Sequence, residues 1–308
     1  MRFFLSLMVL AILTNCQNVQ DEKNVMVDRN LIGPYPMPSV PVDLVDANEK
    51  INYLLNQYWV NFDFNRNYNS VHKAYLEQAL VDYIHLFTMA TEQQVGKSLE
   101  ELLLKVKVNK TNLSLVIAIL EEYLYNPNSP YQNEMHYASF IQALIKHTAM
   151  SSIARENYKT LLPILNLNKP GTYANNFTFY LSNAKYSKLY DLTKDYILLI
   201  FYEPGCTNCA EAIQLMKQHV DLNQWIERGE LEILAVYPDG NQEIWESYQA
   251  NIPSNWLNAV DLKQEVLKKG LYQIRATPSI YLLDQSKKVI LKDVPLYTAA
   301  DFLKQNIP

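Results

Sequence analysis

Phe201-Tyr-Glu-Pro-Gly-Cys-Thr-Asn-Cys-Ala-Glu-Ala-Ile213 decides how this chain is read. It holds Cys206 and Cys209, two of only three cysteines in 308 residues. An unbroken apolar run before it, Tyr196-Ile-Leu-Leu-Ile-Phe-Tyr202, predicts a buried strand, and Ala210 to His219 after it predicts a helix. A cysteine at a helix N-terminus meets the positive end of the macrodipole and unpaired backbone N–H groups, both of which favour a thiolate. The second cysteine lies about one turn further on, near enough to close a small disulfide ring. Strand, C-x-x-C and helix in that order point to thiol redox chemistry. The bland alternative is a structural or vestigial disulfide.

Outward from this motif the pattern is mixed α and β. Phe177 to Leu181 alternates as a strand, with Tyr186 to Leu192 as its partner, and Leu231 to Tyr237 predicts a second central strand. Gln242 to Tyr272 reads as loop and helix, closed by Gly270. After Arg275-Ala-Thr-Pro278 come two more strands, Ser279 to Leu283 and Val289 to Leu291, and a final helix from Ala299 to Asn306. A β-α-β-α-β-β-α order results, with the cysteines after the first central strand. A domain boundary is expected near Asn166-Leu-Asn-Lys-Pro-Gly171.

The preceding block is helical. Asp46 with Glu49 has capping-box spacing, and Ile51, Leu54, Leu55, Tyr58 and Trp59 share one face. Further amphipathic segments start at Ser70, Thr91, Asn112 and Asn133, making five helices in an all-α domain. His72, His85, His136 and His147 fall here without ligand spacing, so they read as ordinary histidines and no metal site is expected. Gln17 to about Pro41 reads as a tether, polar at first and then carrying Pro34, Pro36, Pro38 and Pro41.

Composition narrows the classes. Hydrophobic residues make up 49% and charged residues 19%, as in a packed globular protein. A net charge of −5 gives no electrostatic reason to bind nucleic acid. Arg2 followed by the apolar run Phe3 to Leu13 is a targeting segment too short for a permanent membrane span. Its ending, Leu13-Thr-Asn-Cys16, resembles a bacterial lipobox, which implies that Cys16 is lipidated and becomes the mature N-terminus; Asn15 departs from the usual Gly or Ala. The alternative is a simple cleaved signal that discards Cys16. Lipidation places the protein in the cell envelope, periplasm-facing or on the outer membrane of a Gram-negative bacterium. It also leaves Cys206 and Cys209 as the only redox-capable sulfurs, which excludes a four-cysteine zinc site.

Two resemblances add to this reading. Glu121 to Tyr137, E-E-Y-L-Y-N-P-N-S-P-Y-Q-N-E-M-H-Y, resembles a helical domain of unknown function that precedes thioredoxin-like domains in lipoproteins. From Gly171 onward, G-T-Y-A-N-N-F-T-F, Y-I-L-L-I-F-Y-E-P-G-C-T-N-C and A-T-P-S-I-Y-L-L-D resemble membrane-anchored thioredoxin-like thiol–disulfide oxidoreductases, including those of cytochrome maturation. The expected fold is therefore an α/β thioredoxin-like domain, a mixed sheet flanked by helices, preceded by an all-α domain. The expected bounds are signal and lipobox 1–16, tether 17–45, helical domain 46–165 and thioredoxin-like domain 166–308. The resemblance implies a nucleophilic Cys206, a resolving Cys209, and a substrate-clamping Thr277 before a cis-bonded Pro278. It implies protein thiols or disulfides as substrates, an upstream electron donor, and no cofactor beyond a redox-active Cys206–Cys209 disulfide.

Two positions depart from the family. Gly205 stands where an aromatic residue usually precedes the first cysteine, and Ile200 stands where a buried acid assists the second. Glu203 is the candidate replacement proton acceptor, although a solvated loop carboxylate is the plainer reading. The expected activity is an extracytoplasmic thiol–disulfide oxidoreductase working in the reducing direction. A disulfide oxidase or isomerase and a redox-inactive scaffold that binds a partner are the rivals. The stretch before Cys206 lacks the P-x-x-x-T-x-x-C pattern, which excludes a peroxiredoxin-type peroxidase.

Overall fold

The computed structural model describes residues 33–68 and 72–308. Cys16 with its lipidation, the signal segment and the helix start expected at Ser70 lie outside the described residues.

Six helices form the first half: α1 (Ala47–Gln57), α2 (Lys73–Leu86), α3 (Glu92–Val106), α4 (Lys110–Leu124), α5 (Glu134–His147) and α6 (Ser152–Leu165). Side-chain caps set where five of them start, all but α2. Asp46 accepts from the Glu49 N–H at 3.0 Å, and Thr91 and Gln94 cap each other reciprocally. Asn109, Asn133 and Ser151 cap α4, α5 and α6. The sixth helix goes beyond the five expected from periodicity. Pro163 lies within it and Leu165 is its only fully buried residue, so its apolar signal is weak. Tyr35, in the stretch read as a tether, is docked on the bundle. Its ring stacks on Trp59 and its hydroxyl donates to the Tyr58 carbonyl at 2.7 Å.

The second half is a seven-stranded sheet in the order β2-β1-β5-β4-β3-β6-β7. The strands are β1 (Thr178–Leu181), β2 (Tyr186–Lys188), β3 (Tyr196–Phe201), β4 (Leu231–Tyr237), β5 (Leu257–Val260), β6 (Ser279–Asp284) and β7 (Val289–Lys292). β3 runs parallel to β4 and β4 parallel to β5; the remaining pairs are antiparallel. The helices are α7 (Thr207–Gln218), α8 (Val220–Arg228), α9 (Gln242–Tyr248), α10 (Glu265–Lys268) and α11 (Leu296–Asn306). β3 explains its own unbroken apolar run. Leu198 and Ile200 pack into the core on one face of the sheet, and Ile197, Leu199 and Phe201 into the core on the other. A strand covered on both faces has no place for polar alternation.

The structure is thus a helical region followed by a thioredoxin-like mixed sheet flanked by helices. β5 corrects the expectation that Gln242 to Tyr272 holds only loop and helix. It supplies the parallel neighbour of β4 and joins the β1–β2 hairpin to the sheet. Between the halves, Gly171 and Ala174 donate to the carbonyls of Val289 and Lys287 at 2.8 Å, so the connection lies along the sheet edge.

Candidate redox site

Register brings the site together. β3 and β6 pair antiparallel with Phe201 opposite Ser279. The chain leaving β3 toward Cys206 therefore passes the chain entering β6 from Thr277 and Pro278. Glu203-Pro204-Gly205-Cys206 closes a tight turn in which the Cys206 N–H donates to the Glu203 carbonyl at 3.2 Å. Gly205 sits at φ +85°, the left-handed geometry that a proline-then-glycine turn requires. That is the physical reason for the missing aromatic: a bulky side chain at 205 would be strained by the backbone alone.

Cys206 is the N-cap of α7. Its sulfur accepts from the Cys209 backbone N–H at 3.3 Å, one of the unpaired donors of the helix start. Thr277 faces the same sulfur with two groups. Its hydroxyl donates to Cys206 Sγ at 3.6 Å, and its carbonyl accepts from the thiol at 3.6 Å. The Thr277–Pro278 peptide bond is cis. Cys206 is partly exposed and Cys209 is fully buried, and both are free thiols.

The two sulfurs ionise differently. Partial burial opposes the Cys206 thiolate, but hydrogen bonds from the Cys209 side chain and N–H, from the Thr277 hydroxyl and from the Asn208 N–H outweigh it. The net effect holds its pKa below the ordinary thiol value. Burial, and then the hydrogen bond that Cys209 gives to Cys206, push the Cys209 thiol up to about 11. One sulfur is shifted toward the thiolate and the other is held protonated behind it.

Glu203 is exposed on the loop after β3, and its carboxylate makes no hydrogen bond to either cysteine. Ile200, at the place of the usual buried acid, is sealed in the apolar core. Sequence reasoning missed what lies nearby. Asn258 of β5 accepts from the Tyr202 hydroxyl and from Trp245 Nε1, each at 2.9 Å, and Tyr202 stacks on Tyr248. The signal available for it was a lone Asn inside an otherwise apolar Leu-Asn-Ala-Val stretch.

A cleft of 280 Å³ opens beside Thr277, lined by Tyr202, Glu203, Tyr237, Asp239, Leu267 and Ile274 among others. A larger open cleft of 460 Å³ lies at the opposite end of β3, beside Tyr196 and Asp284, and holds neither cysteine. Among the described residues no group of three or more His, Cys, Asp or Glu is placed to hold a metal ion, and no helix is long and apolar enough to cross a membrane.

Comparison with known proteins places this architecture. Residues 13–168, just over half of the chain, match the family model described as Domain of unknown function (DUF5106). The crystal structure of a thioredoxin-like protein from Bacteroides caccae is similar over both halves. It is 30% identical with a TM-score of 0.82, covering 88% of this chain and 98% of that one. The C-terminal domain of an uncharacterized protein from Bacteroides fragilis is 35% identical, with a TM-score of 0.44, over 44% of this chain and 98% of that one. The thioredoxin domain of a thiol-disulfide oxidoreductase from Bacteroides vulgatus is 21% identical, with a TM-score of 0.40, over 46% of this chain and 99% of that one. No curated protein matches the sequence. The helical half matched by that family model and the mixed sheet that follows it are together similar to the thioredoxin-like protein from Bacteroides caccae, and the chain belongs to the family described as Domain of unknown function (DUF5106).

Proposed function

We propose that the protein is an extracytoplasmic thiol–disulfide oxidoreductase whose working couple is Cys206 and Cys209. The observation that carries this reading is the asymmetry of the two sulfurs. Cys206 is partly exposed, is hydrogen-bonded at a helix N-terminus and ionises early, while Cys209 is buried with a pKa near 11. In the reducing direction the Cys206 thiolate attacks one sulfur of a substrate disulfide. A mixed disulfide forms, the substrate S–S bond breaks, and the departing thiolate takes up a proton. Cys209 then loses its proton and attacks Cys206 Sγ. The substrate leaves as a dithiol, two electrons richer, and the Cys206–Cys209 disulfide remains. An upstream dithiol donor returns two electrons and two protons to that disulfide.

Thr277 serves as the substrate clamp, its carbonyl and hydroxyl lying beside the attacking sulfur and Pro278 following it. Glu203 is the candidate proton acceptor for Cys209, its carboxylate acting through solvent, since it is the Glu203 backbone and not its side chain that hydrogen-bonds the Cys209 thiol. Anchoring to the envelope membrane is assigned to lipid on Cys16, and the cytochrome-maturation type rests on the sequence resemblance alone. Reduction of insulin by dithiothreitol, catalysed by the wild type and by Cys206→Ala, tests the activity. Acceleration by the wild type alone is expected; equal rates would end the enzymatic reading.

A further inference from the structure

A charged cluster joins the two halves directly behind the segment that faces Cys206. Glu134, the first residue of α5, has a side chain only 2% exposed, yet it lies between two cations of the thioredoxin-like half. Its Oε1 accepts from Arg275 Nε at 2.9 Å, and its Oε2 is 2.7 Å from Lys292 Nζ. Arg275 directs its other donors into the same place. One terminal nitrogen donates to the Tyr125 carbonyl, and the other lies 3.5 Å from Asp293 Oδ2. The guanidinium carbon sits 4.3 Å over the Tyr125 ring, which is itself stacked on Tyr137. Lys292 also donates to the Leu165 carbonyl at 2.6 Å, and Gln132 to Asp293 at 3.2 Å. Two acids face two bases, so the cluster is neutral as a set.

Net stability is a poor explanation for it, because the desolvation of buried charges offsets most of their attraction. A forked guanidinium supplies fixed geometry instead. Arg275 stands two residues before Thr277, whose carbonyl and hydroxyl both lie 3.6 Å from Cys206 Sγ. Among the described residues the segment from Gln273 to Pro278 makes no backbone–backbone hydrogen bond to a neighbouring element, and side chains hold it. On its C-terminal side, Ser279 donates to the Ala276 carbonyl at 2.9 Å and β6 begins. On its N-terminal side the hold comes from the helical domain: Gln273 donates to the Tyr125 hydroxyl at 3.0 Å, and Arg275 is seated on Glu134 and Tyr125.

We propose that Glu134 and Tyr125 of the helical domain are positioning residues for the redox site, holding Arg275 and through it the Ala276–Thr277 backbone against Cys206. The helical domain is then a working part of the thiol site rather than a separate module. This inference rests on the redox reading of Cys206 and adds an origin for the geometry of that site.

The test uses the full chain, reduced, and follows the pH dependence of Cys206 alkylation by iodoacetamide. Arg275→Lys keeps the charge and loses the fork; Glu134→Gln keeps the shape and loses the charge. In both, the alkylation midpoint is expected to rise and the rate at pH 7 to fall about threefold to tenfold, the effect of losing one hydrogen bond to a thiolate. Removing the Glu134 charge would by itself favour the thiolate, so a rise in that variant reports displacement of Thr277. Ser98→Ala, which breaks a buried hydrogen bond to Tyr83 in the helical core, controls for simple destabilisation and should leave the profile unchanged. Circular dichroism identifies which variants fold, and either clamp variant alone is sufficient to decide. A folded variant whose profile superimposes on that of the wild type overturns the proposal, as does an equal shift in Ser98→Ala. Insulin reduction by the wild type against Cys206→Ala reports separately on the redox reading, so the two ideas fail by different measurements.

Discussion

At the scale of single residues, Cys206 and Cys209 show how three positions of helix change a thiol. The first sulfur caps the helix and collects its free N–H donors; the second, one turn on, is at 0% exposure under the helix. Hydrogen bonds lower the first pKa against partial burial, while burial raises the second to about 11. Alkylation requires both a thiolate and access. Of this pair, iodoacetamide at pH 7 should therefore label Cys206 and leave Cys209 unlabelled in the reduced molecule, with the labelling midpoint below the ordinary thiol value. Peptide mass mapping checks this. A second label on Cys209 at neutral pH would mean that the burial described here does not persist in solution.

At the scale of elements, the legible parts were those whose own residue pattern carries the mark of their surroundings. Tyr196 to Phe201 is read correctly because a doubly covered strand must be apolar throughout, and Cys206 and Cys209 follow it within one local motif. Leu231 to Tyr237 is legible for the same reason. β5 was not: four residues, Leu-Asn-Ala-Val, give neither alternation nor a long apolar run, and their strand character comes from pairing with β4 and β1. α8 was hidden because only His219 separates it from α7. The Glu134–Arg275 contact spans 141 positions and has no spacing signature at all. Glu203 was suggested by closeness in sequence, and the turn leaves it exposed.

The missed strand also carries a measurable consequence. Asn258 is 9% exposed and satisfies two buried donors, Tyr202 Oη and Trp245 Nε1. Asn258→Leu keeps the volume and strands both donors, at about 1 to 3 kcal/mol for each unsatisfied group. Urea unfolding should show a loss of about 2 kcal/mol or more. Adding Tyr202→Phe to that variant should recover part of the loss, because one stranded donor is removed. A loss below about 0.5 kcal/mol, the range of ordinary surface changes, would show that the network is dispensable.

At the scale of the whole molecule, the buried apolar residues divide cleanly. One core runs from Tyr35 to Leu165, and two others, on the faces of the sheet, lie entirely from Ala174 onward. What joins the halves is chiefly polar, the cluster around Glu134 and Arg275. Acid should therefore affect the halves unequally. His136, on α5, packs edge-on against Phe87, and burial pushes its pKa down from 6.5 to about 4. The folded state thus binds this proton more weakly than the unfolded state. Its contribution is fully present above 6.5 and is lost as pH falls toward 4, about 3 kcal/mol at the limit. Asp261 and Asp293, in the other half, work with the opposite sign. Burial raises both, so the stability each contributes is present below 3.8 and is lost as pH rises through its folded value. Between pH 7 and pH 5, then, α2 to α5 should lose hydrogen-exchange protection, after correction for intrinsic rates, while β3 and β4 keep theirs. His136→Leu should flatten the response of the helical half because it removes the titrating ring from the Phe87 contact. The same loss of protection in His136→Leu as in the wild type would assign the acid sensitivity to another group.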